Sequence, residues 1–245
     1  MGRRGDPTMR SALLALPLLP SLAGAAPLTL YYIEKPPYYH TEQGEPTGFL
    51  LERTRAIFVR AGLDVRFEPR PPKRILRELE QQRPDTCSIG WFKTAERERF
   101  AWFSRPIHRD APMLVLTRKS LIDQVRGHAG LADLLKSGLR LGLVDGFSYG
   151  ELDGALKSAR SLKVTAPPTQ TVLMLAAERI DYTLIDEREL PYILAEAGLQ
   201  DANLRTVRLP DIPAGQQRYL MCSGNLDATL RQRIDDAIEA LAPNP

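Results

Sequence analysis

The chain has 245 residues, of which 43% are hydrophobic and 26% are charged, and these ordinary values exclude a disordered, collagen-like or coiled-coil protein. Its 33 basic and 30 acidic side chains give a formal charge of +3. That charge is too small for a dedicated nucleic-acid-binding protein, so we expect no nucleic-acid partner.

Residues 1–25 have the layout of a secretory signal peptide, with Arg10, an apolar run over residues 12–22 and a small-residue exit. The run is far shorter than the roughly 20 residues of a membrane span. Pro17 and Pro20 argue against a buried core helix. We therefore expect export to the periplasm, with cleavage between Ala25 and Ala26. Either Met1 or Met9 fits as the start.

The first half of the remaining chain alternates predicted strands and helices. Apolar and β-branched runs predict strands at residues 28–33, 63–67, 86–90 and 113–117. Apolar residues at helical spacing predict helices at residues 48–62 and 73–82. This order favours an α/β fold with a mostly parallel sheet and helices on its faces.

The second half repeats this alternation as an α/β unit of similar size. Strands are predicted at residues 139–144, 162–165, 182–185 and 218–222. Ser148, followed three residues later by Glu151, indicates a capping box that opens a helix. Further helices are predicted at residues 170–178, 189–197 and 227–241.

Residues 146–150 match the letters of the G-x-S-x-G hydrolase elbow, with Ser148 at the centre. That mechanism needs an acid and then a histidine downstream of the serine. The last histidine, His128, lies upstream, so the sequence disfavours a serine hydrolase. Two cysteines and three scattered histidines fit no zinc motif, and no Gly-rich phosphate loop is present. We expect no metal and no cofactor.

Two charged residues follow predicted strands and are candidates for ligand binding. Arg97 comes after the strand at residues 86–90, and an arginine there can hold a carboxylate bidentately. Its alternative is a solvated charge run at residues 96–99. Asp186 ends the strand at residues 182–185, where ligands of α/β sheets bind. Its alternative is a helix N-terminal acid.

From residue 28 to residue 241 the chain resembles the extracellular solute-binding proteins of family 3, the amino-acid type. These have the two-lobed periplasmic binding protein type II fold, in which each lobe is a mostly parallel sheet flanked by helices. Single motifs are weak, but their order and spacing are fairly specific. The matching stretches are PPY at 36–38, EPTGF at 45–49, IG at 89–90, TAER at 94–97, FSRP at 103–106, GLVDGFS at 142–148 and RIDYTLID at 179–186.

The resemblance implies a set of ligand-binding residues. Arg97 would hold the ligand α-carboxylate and Asp186 its α-amino group. The carbonyl of Gly90 would face the ligand, with Trp91 and Thr94 beside it, and Tyr38 would pack on the ligand. Phe147 and Ser148 would lie at a helix start whose N–H groups approach the carboxylate.

Departures from the family pattern leave the ligand open. Phe92 replaces the usual Ser or Thr hydroxyl, and Pro72 replaces an aromatic that stacks on the ligand. Trp91 is bulky beside the expected pocket. An aromatic or larger ligand, a small peptide or a carboxylate without an amine therefore stays open beside a standard amino acid.

The resemblance also implies how the protein works. Lobe 1 would comprise residues 26–117 and 208–245, lobe 2 residues 118–207, and a hinge with two crossings would close on a small molecule. We expect a monomeric binding protein rather than an enzyme, with a membrane permease of an ABC-type transporter or a receptor as its partner. The alternatives are a sensing module and a dehydratase-like enzyme. Cys87 and Cys222 both map to lobe 1 strands, where a disulfide or two buried thiols are open.

Overall fold

The computed structural model describes residues 1–2, 27–145, 147–165, 167–200 and 203–241. The predicted signal peptide and its cleavage site lie outside the described residues, apart from Met1 and Gly2. The described chain folds into two five-stranded sheets flanked by helices, which confirms the predicted α/β class.

The first sheet forms the core of lobe 1. It contains, in spatial order, β4 (Val65–Pro69), β1 (Leu28–Tyr32), β5 (Thr86–Trp91), β12 (Gln217–Ser223) and β6 (Ala101–Arg109). The strands β4, β1 and β5 are parallel, whereas β12 runs antiparallel to both of its neighbours because the chain re-enters the sheet from the hinge. The sheet is therefore less uniformly parallel than expected.

Helices and a small hairpin complete lobe 1. Apolar residues recurring at helical spacing give the helix at Phe49–Ala61 a buried face of Leu50, Leu51, Ile57 and Phe58. Gly62, in the left-handed conformation, caps the last carbonyl groups of this helix. The elements are the hairpin β2 (His40–Glu42) and β3 (Glu45–Thr47), and the helices α1 (Phe49–Ala61), α2 (Pro72–Glu80), α3 (Ala95–Glu98) and α9 (Ala228–Ala240).

The second sheet forms the core of lobe 2. Its strands, in spatial order, are β11 (Leu204–Val207), β7 (Leu114–Arg118), β10 (Tyr182–Ile185), β8 (Leu141–Val144) and β9 (Ser161–Val164). Its helices are α4 (Ile122–Arg126), α5 (Leu131–Leu134), α6 (Asp153–Ser158), α7 (Pro168–Ala176) and α8 (Leu190–Glu196).

The chain crosses between the sheets twice. It leaves the first sheet after Arg109 and returns between Val207 and Gln217. The two crossings lie side by side, since the Asp110 backbone N–H donates to the Gln216 carbonyl at 3.0 Å. The strand predicted at residues 113–117 was expected in lobe 1, but β7 pairs with β10 and β11 of the second sheet. That placement corrects the expected boundary at residue 117.

A disulfide joins Cys87 and Cys222, which face each other on the paired strands β5 and β12. Both cysteines are fully buried in the lobe 1 core. The sequence left open either a disulfide or two buried thiols, and the structure contains the disulfide. No helix in the described part of the chain is long and apolar enough to cross a membrane.

Candidate functional site

The candidate site is a cavity of about 320 Å³ between the lobes. It lies where β5, β8 and β10 reach their carboxyl ends, which is where open α/β sheets bind ligands. Of the residues proposed from the sequence, six line it, and Phe92 and Pro72 line it as well. The six are Gly90, Trp91, Arg97, Phe147, Ser148 and Asp186.

Arg97 lies on the short helix α3, directly after β5. Its Nη1 donates to the Phe92 carbonyl at 2.8 Å, and its guanidinium stacks over the Trp91 ring with 4.8 Å to the centroid. Burial lowers the pKa of the Arg97 guanidinium, which nevertheless stays cationic at neutral pH. Because these partners are neutral, its positive charge is available to an anion in the cavity.

Thr94 has a different position from the one expected. It is exposed and does not contribute to the cavity lining. Its hydroxyl accepts from the Arg97 backbone N–H at 3.3 Å, as the N-cap of α3. Thr94 therefore positions Arg97 rather than facing the cavity.

Asp186 follows β10 and faces the cavity from lobe 2. Its Oδ1 accepts from the Arg188 backbone N–H at 2.8 Å, and its Oδ2 accepts from the Tyr38 hydroxyl at 2.5 Å. Tyr38 is fully buried in lobe 1 and is not part of the cavity lining. Burial, together with Asp110 and Asp186, raises the pKa of Tyr38, so this hydroxyl stays a donor. Tyr38 therefore joins the lobes instead of covering the cavity.

The start of the predicted helix at Ser148 differs from the capping-box prediction. The first turn begins at Gly150, and the Ser148 hydroxyl donates to Asp153 at 2.8 Å rather than pairing with Glu151. The Tyr149 N–H donates to Asp153 at 2.7 Å, and the Gly150 N–H donates to the Ser148 Oγ at 3.2 Å. These N–H groups, expected to approach a carboxylate, are thus already bonded within the chain.

Arg218 and Asp110 form a buried ion pair in the cavity wall that the sequence analysis missed. Arg218 Nε donates to Asp110 at 2.7 Å, and Nη1 donates to the Gly90 carbonyl at 3.0 Å. Burial acts to lower the pKa of the Arg218 guanidinium, but Tyr39 and Asp110 raise it above its usual value. The carbonyl of Gly90 therefore already holds a cationic donor. An arginine inside an otherwise apolar strand was the available sequence signal.

Lys35 and Glu189 form a second missed ion pair, this one between the lobes. Both side chains line the cavity and are mostly buried, with 19% and 12% of their surfaces exposed. Burial raises the pKa of Glu189, and Lys35 partly offsets that rise. The residues lie 154 positions apart, so no local pattern could have paired them.

Residues 30–244 of the chain match the sequence model of the bacterial extracellular solute-binding proteins, family 3. The chain belongs to this family. The resemblance proposed from the motifs is confirmed. A comparison with curated proteins gave no match.

Solved structures of similar fold include members that bind amino acids and members that are sensor domains. The arginine-, lysine-, histidine-binding protein ArtJ from Geobacillus stearothermophilus is 18% identical with a TM-score of 0.66, covering 88% of this chain and 89% of that one. A histidine kinase sensor domain similar to periplasmic binding proteins is 24% identical with a TM-score of 0.66, covering 88% and 90%.

The VFT2 domain of Bordetella pertussis BvgS has the same fold. It is 18% identical to this chain with a TM-score of 0.67, and 88% of each chain is covered. At these identities the structures establish a shared two-lobed fold, as predicted.

Proposed function

We propose that this protein captures a small amino-acid-like carboxylate between its lobes by hinge closure. The observation that carries the proposal is that Arg97 of lobe 1 and Asp186 of lobe 2 line one cavity. Arg97 holds the carboxylate with charge-assisted hydrogen bonds, and Asp186 accepts from an N–H group of the ligand. A ligand that contacts both lobes favours the closed state by its differential affinity for it.

The proposed setting is the periplasm, where the protein acts as a monomer and delivers its ligand to the permease of an ABC-type transporter. Family membership and the amino-acid-binding structures of the same fold support this setting. Uptake of the labelled ligand by cells with and without the gene tests it. Unchanged uptake would contradict a transport role.

Ligand binding is tested by a thermal-shift screen of the chain from Ala26 against amino acids, short peptides and aromatic carboxylates. A ligand at about 100 times its Kd adds roughly 2.7 kcal/mol of stability. That raises the melting temperature by on the order of 5–10 °C for a chain of this size.

Arg97→Ala is expected to weaken the binding of any hit by about a hundredfold, because a desolvated charge pair loses one partner. Isothermal titration calorimetry measures the loss. The matched control is Arg99→Ala, since Arg99 is exposed next to the same helix and does not contribute to the cavity lining. Equal affinity in the Arg97 variant and the control would refute the proposed carboxylate site.

A sensing module is the second candidate function. It is favoured by the same fold in a histidine kinase sensor domain and in BvgS. A sensor would change the output of a membrane receptor when ligand is added, without changing uptake. Measuring both outputs in the same cells separates the candidates.

A further inference from the structure

A second cavity, of about 670 Å³, adjoins the main cavity in the cleft between the lobes. The same side chains border both spaces, so the second cavity continues the first and a ligand held at Arg97 can extend into it. Ligand pockets typically measure about 300–1,000 Å³, and the main cavity alone is at the lower end of that range. The shared residues are Ile33, Lys35, Pro72, Phe147, Pro168, Glu189 and Ile193.

The walls of the second cavity are largely proline rings and aromatic faces. Pro71 and Pro72 come from lobe 1, and Pro167 and Pro168 come from lobe 2. Proline presents a rigid apolar ring and no backbone N–H donor. The two aromatic residues of this wall are unusually exposed for large apolar side chains, at 49% for Phe147 and 44% for Tyr192. Exposed apolar surface lining a cleft indicates a binding surface.

The charged side chains of the second cavity are bonded within the protein. Lys35 and Arg70 form ion pairs, whereas Glu34 and Glu196 accept hydrogen bonds from threonine hydroxyls. We expect the part of the ligand in this cavity to be apolar because prolines and exposed aromatic rings form much of its wall. The pairs are Lys35–Glu189, Glu34–Thr41, Arg70–Glu68 and Glu196–Thr169.

One donor in this wall is left over. The Nε of Arg70 is buried and has no hydrogen-bond partner among the residues that the structure describes. A buried N–H donor is stabilised when it finds an acceptor. The carbonyl oxygen of a peptide group is such an acceptor, and it comes with apolar side chains on either side.

We propose that the ligand is a short apolar peptide whose C-terminal carboxylate binds Arg97 and whose preceding residues occupy the second cavity. This rests on the proposed carboxylate site. The amide N–H of the C-terminal residue donates to Asp186, in the place of the ammonium of a single amino acid. Tyr192 and the prolines then contact the preceding side chains.

The test compares leucine, Pro-Leu and Phe-Pro-Leu by titration, with the quenching of tryptophan fluorescence as a second readout, since Trp91 lines the main cavity. We expect Phe-Pro-Leu to bind about tenfold or more tightly than leucine, since it buries further apolar surface. Tyr192→Ala is expected to remove most of that gain and to leave leucine binding unchanged. The control is Leu162→Ala, because Leu162 is 47% exposed on β9 and lines neither cavity.

Equal or tighter binding of leucine would overturn the peptide assignment, as would an unchanged gain in Tyr192→Ala. C-terminally amidated Phe-Pro-Leu separates this result from a failure of the proposed function. If the amide and the acid bind equally well, the carboxylate site at Arg97 is wrong, whereas a gain with length still supports the second cavity. No binding of any of the three probes up to about 1 mM would overturn the peptide assignment, whereas the proposed carboxylate site would fall only if the wider thermal-shift screen also gave no hit.

Discussion

At the scale of single residues, buried charges fix the geometry of lobe 2. Asp181 is buried at the start of β10 and accepts from Arg118 at 2.9 Å and from the Arg140 side chain at 2.8 Å. The backbone N–H of Arg140 also donates to it, at 2.8 Å. Hydrogen bonds from Arg140, followed by those from Arg118, hold the pKa of Asp181 well below its usual value. This one carboxylate joins the ends of three neighbouring strands.

Asp181→Asn is expected to destabilise the protein at pH 7 by about 2–4 kcal/mol, because two arginines lose their carboxylate. The folded-state pKa is lowered, so the stabilisation is present above the unfolded value of about 3.9 and is lost as the pH falls below it. Urea unfolding between pH 3 and pH 7 measures both effects. The matched control is Asp123→Asn, an exposed residue of α4. If the stability of the Asp181 variant fell with decreasing pH as much as that of the wild type, Asp181 would not be the carboxylate responsible for the loss.

At the scale of elements, the backbone of β5 turns sharply at Gly90, one residue before the strand ends, in a conformation that only glycine accommodates. Gly90 has φ +79°, and a Cβ at this position would lie 2.6 Å from the Tyr39 ring. The same turn presents the Gly90 carbonyl to Arg218 and leads to Trp91, Phe92 and Arg97. Its conformation therefore supports the lobe 1 side of the cavity.

Gly90→Ala is expected to cost about 1–3 kcal/mol, from the left-handed backbone and the contact with Tyr39. Ligand affinity should fall as well, because the chain runs from Gly90 through Trp91 and Phe92 to Arg97 on α3. Gly154→Ala is the control, since Gly154 lies in α6 with open space around an added Cβ and gains about 0.5–1 kcal/mol of helix stability. Thermal unfolding of both variants measures the difference. A Gly90 variant as stable as the wild type would show that the turn relaxes freely.

Periodicity predicted most elements within a few residues, but it missed β6, β11, the hairpin β2–β3 and the short helices α3, α4 and α5. The strand β6 contains Pro106 and several charges, and β11 has only four residues, so neither has a clear apolar pattern. Arg97 and Asp186 could be found because both follow strand ends. Lys35 and Glu189 could not, since their pairing joins distant parts of the chain, and Arg218 was marked only by its charge within an otherwise apolar strand.

At the scale of the whole molecule, the chain's own side chains join the two lobes. Lys35 pairs with Glu189, the Tyr38 hydroxyl donates to Asp186, and Arg188 lies over the Phe49 ring at 4.7 Å. These contacts add to whatever a ligand contributes to closure. In the proposed hinge closure, the equilibrium between open and closed states would therefore depend on these contacts as well as on the ligand.

Glu189→Gln is expected to shift that equilibrium toward the open state by about 1–3 kcal/mol, because Lys35 loses its anionic partner. Small-angle X-ray scattering without ligand would record a larger radius of gyration than for the wild type. Glu187→Gln is the control, since Glu187 is exposed and pairs with the exposed Arg208, directly after β11, rather than with Lys35. The same radius in all three proteins would show that this pair does not hold the lobes together.

The disulfide between Cys87 and Cys222 joins residues that are 135 positions apart in the sequence. The chain between them, which includes the whole of lobe 2, is therefore a covalently closed ring. Both hinge crossings belong to that ring. A protease that cuts any single peptide bond within lobe 2 therefore leaves one covalently joined molecule, and its two pieces separate only after reduction. In an oxidising compartment, a nicked protein keeps both halves of its hinge attached to the same lobe.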